Sequence, residues 1–320
     1  MKTHSSSTPR VGVVGATGYT GLETLRILRH HPRAEVRFAT SEGSPGAASA
    51  LPGLSLVSGD DAPLDGVDLV FLCLPHGKSV EWAQRASGAG ARVVDLTADH
   101  RPGSGREEGW VYGMADLAGD RVVGAERVAN PGCYPTGVQL ALRPLVSAGL
   151  LRDAVPVVVN AASGVTGAGR TPKRELLFAE VASDYRAYAT GNGHRHLLEM
   201  HAALPGVPLV FQPHLLPLAR GILETIYLPV ADGVDAAAVR AAWRGAFAGA
   251  ASVGVTDGTP ALAEVVGRDT LVMGAADNAG VPGLVTAMVA FDNLGKGAAG
   301  QAVQNMNLMM GLEPKLGLRL

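Results

Sequence analysis

The sequence predicts an α/β protein in which a doubly wound parallel sheet is joined to a second, α+β domain built on a mixed or antiparallel sheet. Three observations carry that expectation. Short β-branched apolar runs alternate with helix-period segments in the N-terminal part of the chain. A glycine-rich turn stands between the first run and the first helical segment. After Cys133 the apolar runs follow one another with few helical segments between them.

Residues 10–16 (RVGVVGA) are a β-branched run of the kind buried on both faces of a sheet. Residues 20–30 set Leu22, Leu25, Ile27 and Leu28 at helical spacing. Further strands are expected at 34–40, 67–74 and 91–96, with a helix at 78–87. This alternation implies right-handed βαβ units. A helix is expected at 134–148, ending at Gly149. Strands follow at 155–161, 208–211, 221–230 and 284–291, with helices at about 235–248 and at 297–310. Pro213 and His214 read as a structural lead-in to a strand. No Pro/Ser-rich linker marks the change of pattern at Cys133, so the domains are expected to share an interface with the site between them.

Of the 320 residues 47% are hydrophobic, enough for a sizeable core and about two domains. A net charge of −2, with 27 basic and 29 acidic residues intermixed, offers no stripe for nucleic acid and no polybasic segment for a membrane surface. Met1 to Arg10 lack the apolar core of a secretory signal, and no apolar run reaches the roughly 18 residues of a membrane span. Two cysteines make no disulfide framework. A cytoplasmic protein acting on a small molecule is the resulting expectation.

The first strand runs into Gly12-Val13-Val14-Gly15-Ala16-Thr17-Gly18-Tyr19-Thr20-Gly21. A strand–turn–helix with glycines at these positions lets backbone N–H groups approach a pyrophosphate, and the helix N-terminus adds partial positive charge. Gly15, Thr17, Gly18, Tyr19, Thr20 and Gly21 are therefore cofactor-binding candidates. The end of the second strand reads Thr40-Ser41-Glu42-Gly43-Ser44. Ser41 and its hydroxyl neighbours suit a 2′-phosphate, whereas Glu42 suits a free 2′-hydroxyl, and both choices stay open.

Asn130-Pro131-Gly132-Cys133-Tyr134-Pro135-Thr136 places a cysteine at the start of a helix, after a Pro-Gly turn. The helix dipole and unmatched N–H groups there favour a thiolate, the reactive form of a cysteine nucleophile. Cys73, within an apolar strand, reads instead as a small buried hydrophobe. Gly193-His194-Arg195-His196-Leu197-Leu198-Glu199 supplies the proton chemistry that a thiolate attack on an acyl carbon needs, from His194 or His196. Glu199 is placed to orient a histidine or to bind substrate. A metal centre, with His201 or His214 joining the pair, is not expected, because no acidic or thiolate cluster completes it. Arg101, beyond the strand at 91–96, is a phosphate clamp candidate, and Arg220 a carboxylate clamp candidate.

GATGYTGLE (15–23), LPHG (74–77), DLTADHR (95–101), NPGCYPT (130–136), SGVTGAGR (163–170), GHRHLLE (193–199) and DNLGKGAAGQAVQNMN (292–307) occur in this order. Together they resemble the N-acetyl-γ-glutamyl-phosphate reductases, in the superfamily of aspartate-semialdehyde and glyceraldehyde-3-phosphate dehydrogenases. The resemblance spans nearly the whole chain, and NPGCYPT and HRHxxE are its most specific parts. It implies an NADP-binding Rossmann-type domain of residues 1–132 with the last helix (297–320), and a catalytic and dimerisation domain of residues 133–296. It implies Cys133 as nucleophile and His194 as acid/base, with Tyr188, His196 and Arg220 at the substrate. Pro75, Ser163, Gly164 and Asn305 take positions near the cofactor. The implied reaction is NADPH-dependent reduction of an acyl phosphate in arginine biosynthesis, by a homodimer or homotetramer. A lysine-pathway reductase of a carrier-bound aminoadipyl phosphate and aspartate-semialdehyde dehydrogenase share the chemistry, but are expected to differ around the cysteine. A non-catalytic dinucleotide sensor has no need of a helix-start cysteine with a histidine pair.

Overall fold

The computed structural model describes residues 8–250 and 252–320. The chain divides into two compact units, one of residues through Gly132 with Ala298–Arg319, the other Cys133–Gly297. The first part of the chain forms β1 (Arg10–Val14), α1 (Tyr19–Leu28), β2 (Glu35–Ala39), β3 (Leu69–Leu72), α2 (Ser79–Gly88), β4 (Arg92–Asp95), β5 (Val111–Tyr112), α3 (Ala115–Val122) and β6 (Arg127–Ala129). Next come α4 (Cys133–Ser147), β7 (Val157–Gly164), α5 (Phe178–Val181), β8 (Arg186–Ala187), α6 (His196–Ala203), β9 (Leu209–Leu216) and β10 (Ile222–Pro229). The chain closes with α7 (Ala236–Ala246), β11 (Val253–Val255), α8 (Leu262–Val265), β12 (Leu271–Asp277), β13 (Leu284–Phe291) and α9 (Gly300–Met309).

In the first unit six parallel strands run in the order β2-β1-β3-β4-β6-β5. Strand order reverses between β1 and β3, and such a switch point is where doubly wound sheets take ligands. β1 and β3 are apolar throughout their buried parts because helices cover both faces of a parallel sheet, whereas β4 ends on the buried carboxylate Asp95. No helix lies between β2 and β3. Pro45, Gly46, Pro52, Gly53, Pro63 and Gly66 break helical continuity there, and the segment instead makes short bridges such as Thr40 to Val57. α9 belongs to this unit, and its Ala302, Val303, Met306 and Met309 enter the same core cluster as Val11, Leu25, Phe71 and Val128. A π-helical turn, Gly295–Ala299, precedes it.

The second unit holds a seven-stranded mixed sheet in the order β11-β12-β13-β10-β7-β9-β8. Its central pairs β12–β13, β13–β10 and β10–β7 are antiparallel, and β7–β9 is parallel. Residues alternate between buried and half-buried along β7, β10 and β13, the pattern of a sheet with one covered face. β9 extends through Pro213 and His214, so these two residues lie inside a strand rather than ahead of one. Strand β12 lacked a sequence signal because its Gly-Ala-Ala centre is not β-branched. The small residue is required: a Cβ on Gly274 would stand 2.3 Å from the Gly258 carbonyl oxygen. α4 continues through Pro144, and the Trp243 indole donates to the Ala141 carbonyl on that turn at 2.8 Å.

Candidate active site

Cys133 is the first residue of α4, where the helix carries partial positive charge. Its side chain is half-buried and forms no disulfide. Gly297 keeps room beside it, since a Cβ there would lie 3.1 Å from the Cys133 Cβ. The next residue, Tyr134, is buried and forms the centre of an aromatic cluster. Its ring meets His194 edge-on at 5.5 Å, His196 at 6.0 Å and Phe211 at 5.2 Å between centroids. The two imidazoles are 4.6 Å apart. The hydroxyls of Tyr134 and Tyr188 are hydrogen-bonded at 2.9 Å. The turn chemistry thus delivers a cysteine to a helix start, and the following tyrosine joins it to both histidines.

Electrostatics assigns protonation states. Burial pushes the Tyr134 phenol far above its ordinary value, with Tyr188 and the charge of Cys133 adding to the effect. Burial, with a smaller push from Cys133, raises Tyr188 to about 12. Both phenols therefore stay protonated at neutral pH, and both feel the sulfur. Burial, then the neighbouring Arg195 cation, lowers His194 to about 4. His194 Nδ1 accepts the His196 backbone N–H at 3.2 Å, so the neutral ring carries its proton on Nε2.

Arg220 is tethered beside β10. Its Nε donates to the buried Asp292 carboxylate, at 3.1 Å to Oδ1 and 3.0 Å to Oδ2. Asp292 also accepts backbone N–H groups from Gly267 at 2.7 Å and Leu294 at 2.9 Å. Gly164 lets β7 approach this arginine, since a Cβ there would stand 2.7 Å from the Arg220 nitrogen. Ser163 donates its hydroxyl to the Gly164 carbonyl at 3.1 Å. His196 and Glu199 are both buried in the first turn of α6.

The first unit contains the glycine turn. Gly15 has φ +81°, and a Cβ there would lie 2.5 Å from the Cys73 carbonyl oxygen, just past β3. A Cβ on Gly21 would meet the Gly15 carbonyl oxygen at 2.3 Å. The turn is therefore pressed into the switch point between β1 and β3 in a way only glycine permits. α1 begins at Tyr19 and Thr20 with no side-chain cap, which leaves its N-terminus suited to a phosphate group. Thr17 and Ser41 hydroxyls lie 3.2 Å apart, and Glu42 Oε1 accepts the Gly59 N–H at 2.9 Å. The glycine turn and the uncapped start of α1 suit the phosphates of a dinucleotide. Pro75 opens the turn after β3, which Asp99 holds by accepting the Gly77 and Ser79 N–H groups at 2.6 and 3.1 Å. Cys73 is buried, and burial raises its thiol to about 12, in keeping with a structural role.

Two candidates are committed elsewhere. Arg101, in the first unit, donates Nε to the Asn130 carbonyl at 2.8 Å and Nη2 to the Leu96 carbonyl at 2.9 Å. Asn305 donates to the Gly113 carbonyl at 2.8 Å and to the Asn130 side chain at 2.9 Å. Both side chains thus brace the turn that precedes Cys133. Tyr188, His196, Glu199 and Arg220 share the second unit with Cys133 and His194. Sequence reasoning missed Tyr134, Phe211 and Asp292. Tyr134 stood within NPGCYPT, but its role depends on partners far along the chain.

Residues 10–125 match the family described as semialdehyde dehydrogenase, NAD binding domain, and residues 133–293 match its dimerisation domain. The chain is 44% identical to an N-acetyl-gamma-glutamyl-phosphate reductase of Salinispora arenicola (strain CNS-205), over 97% of both chains. It is 41% identical to the reductase of the same name in Geobacter sp. (strain M21), over 97% of this chain and 98% of that one. Among solved structures it is similar to aspartate semialdehyde dehydrogenase II of Vibrio cholerae, with a TM-score of 0.80 at 20% identity, covering 96% and 99% of the two chains. A probable aspartate-semialdehyde dehydrogenase of Pseudomonas aeruginosa gives a TM-score of 0.75 at 24% identity, covering 95% and 99%.

Proposed function

The chain belongs to the semialdehyde dehydrogenase family and groups within it with the N-acetyl-gamma-glutamyl-phosphate reductases, and on that premise we propose how its residues carry out the reaction. The protein is an oxidoreductase that converts N-acetyl-L-glutamyl 5-phosphate to N-acetyl-L-glutamate 5-semialdehyde and phosphate, in arginine biosynthesis. The observation that carries the site assignment is Cys133 at the start of α4, joined through Tyr134 to His194.

The Cys133 thiolate attacks the acyl carbon. The carbon–oxygen bond to phosphate breaks, phosphate leaves with the electron pair, and a thioester remains. N–H groups at the start of α4 stabilise the oxyanion formed in that step. A nicotinamide dinucleotide held at the glycine turn, NADPH in this reading, would supply the hydride that reduces the thioester. Neutral His194 donates its Nε2 proton to the developing oxygen. It takes the proton back as the carbonyl re-forms, the carbon–sulfur bond breaks and the thiolate is restored. Arg220, Tyr188, His196 and Glu199 hold the substrate, with the tethered Arg220 as carboxylate partner. Gly15, Thr17, Gly18 and Gly21 cradle the dinucleotide phosphates. Glu42 is occupied by the Gly59 N–H, and this favours Ser41 as the partner of a 2′-phosphate, hence NADP. The protein acts as a homodimer or homotetramer through the half-buried face of the second sheet, which carries Asn160, Thr225, Tyr227 and Thr286.

The assay in reverse tests this reading. Semialdehyde, phosphate and NADP⁺ together should give reduced nucleotide, while aspartate semialdehyde or NAD⁺ gives at least about tenfold less, a discrimination of about 1.4 kcal/mol or more. Cys133→Ser should lower turnover at least about a thousandfold with dinucleotide binding intact. Preference for aspartate semialdehyde would end the substrate assignment, and a near-full rate in the serine variant would end the mechanism.

A further inference from the structure

β8 is a two-residue strand, paired antiparallel with β9 so that Arg186 faces Leu215 and Ala187 faces His214. The main-chain pairing goes one step further, where Tyr188 donates its N–H to the Pro213 carbonyl at 3.1 Å. The backbone then turns away, with φ +45° at Ala189 and +61° at Asn192. Counted on in the same register, residue 192 lies opposite Leu209. There the Asn192 side chain takes over from the backbone. Its Nδ2 donates to the Leu209 carbonyl at 2.9 Å, and its Oδ1 accepts the Phe211 N–H at 2.8 Å. One amide thus supplies the donor and acceptor that a continuing edge strand would have supplied.

The segment so fixed carries His194. Gly193 donates to the Ala189 carbonyl at 3.2 Å, closing the turn, and Leu197 donates to the His194 carbonyl at 3.0 Å, opening α6. Phe211, whose N–H the amide holds, presses its ring on His194 at 5.6 Å and on Tyr134 at 5.2 Å. The same side chain therefore fixes both the loop that bears the imidazole and the strand residue that walls it. Asparagine suits the place, because it tolerates the left-handed backbone better than most residues. Asn192 itself is exposed, so core packing does not account for it.

We infer that Asn192 is a positioning residue for the acid/base His194, its amide acting as a surrogate strand pair that locks the 189–195 loop against β9. The inference rests on the proposed role of His194 in the reaction. It extends that role to a residue that touches neither substrate nor cofactor.

The test compares Asn192→Ala, Asn192→Gly and Asn192→Asp with His194→Ala in the full-length enzyme. Alanine removes the amide and strains the backbone. Glycine removes the amide and relieves the backbone. Aspartate keeps the shape and one acceptor. In the alanine and glycine variants kcat should fall about ten- to a hundredfold, while KM for the acyl phosphate changes less than about threefold. Aspartate should fall between them and the parent. Titration of the His194 ring by NMR reads positioning without reference to activity. The titratable groups around that ring are Tyr134, Tyr188, His196 and Arg195. The parent ring should titrate near 4, and the alanine and glycine variants should move upward by about one unit as water reaches it. Unchanged kcat and unchanged titration in a folded glycine variant would overturn the inference. So would a fall in kcat confined to alanine, since strain rather than the amide would then be the cause. Full activity in His194→Ala with a shifted ring in Asn192→Gly would sink the acid/base role while leaving the lock itself standing.

Discussion

At the scale of single residues, the least expected feature is a carboxyl in the core of the second unit. Glu224 on β10 is fully buried, and neither of its oxygens has a hydrogen-bond partner among the described residues. Burial alone holds its proton on, well above the ordinary value for a glutamate. Below the unfolded-state value of about 4.3 both states are protonated and no penalty exists. As pH rises above that value the unfolded chain ionises first, and the native state loses ground until its own raised pKa is reached. Glu224→Met should therefore raise Tm, and by more at pH 8 than at pH 5, with a gain of about 1–3 kcal/mol near neutrality. Thermal melts at the two pH values measure it; an equal shift at both would show that Glu224 does not hold its proton. His194 has the opposite sign. Its folded pKa is lowered to about 4, so its effect on stability is absent above about 6.5 and grows unfavourable as pH falls from there toward 4. The same lowering keeps the imidazole neutral in the working range. The acid limb of kcat/KM should accordingly lie below pH 5.5, which a pH–rate profile at constant ionic strength measures.

At the scale of elements, α4 shows how closely helix and sheet are fitted. A Cβ on Gly137 would stand 2.2 Å from Glu224 Oε2 and 2.7 Å from the Phe291 ring. Replacing a helix-interior glycine by alanine ordinarily stabilises by about 1 kcal/mol. Here Gly137→Ala should destabilise by about 2 kcal/mol or more, because carboxyl and ring must both move. Adding Glu224→Ala should recover much of that loss, and a double-mutant cycle by urea unfolding gives the coupling. Strictly additive effects would mean that the helix shifts freely. The elements that sequence foresaw are those with local signals: β1, α1, β2, β3, α2, β4, α4, β7, β9, β10, α7, β13 and α9. The strands it missed, β5, β6, β8, β11 and β12, are short or centred on small residues, and only pairing with neighbours makes them strands. The same division applies to the site. Cys133 and the histidines were legible because a Pro-Gly turn before a helix and an HxH after glycines are local patterns. Tyr134, Phe211 and Asp292 were not, because each matters through a contact with a residue remote in sequence. Arg101 shows the converse. Its place after β4 is right for a ligand, yet its guanidinium is engaged by the Asn130 and Leu96 carbonyls.

At the scale of the whole molecule, the first unit is discontinuous. Its core includes Ala299, Ala302, Val303, Met306 and Met309 from the end of the chain. The amides of α9 are similarly engaged there, with Gln304 donating to Asp116 at 3.0 Å and Asn307 paired with His31 at 3.0 Å. Beyond α9, Arg319 reaches Glu23 at 2.7 Å. Deleting residues 298–320 should therefore abolish dinucleotide binding and expose the N-terminal unit to protease, although the glycine turn itself is intact. Nucleotide titration and limited proteolysis read the two effects; retained binding in the deletion would show that α9 is dispensable.

This return of the chain sets an order of assembly during synthesis. When β1 to β6 have left the ribosome, the pocket that α9 will fill is still empty, and the whole of the second unit must be translated before the missing helix arrives. At about 5–20 residues per second that interval lasts on the order of ten seconds or more. The second unit, continuous in sequence, is complete first. The nascent N-terminal sheet meanwhile waits with the apolar surface that α9 will cover still bared.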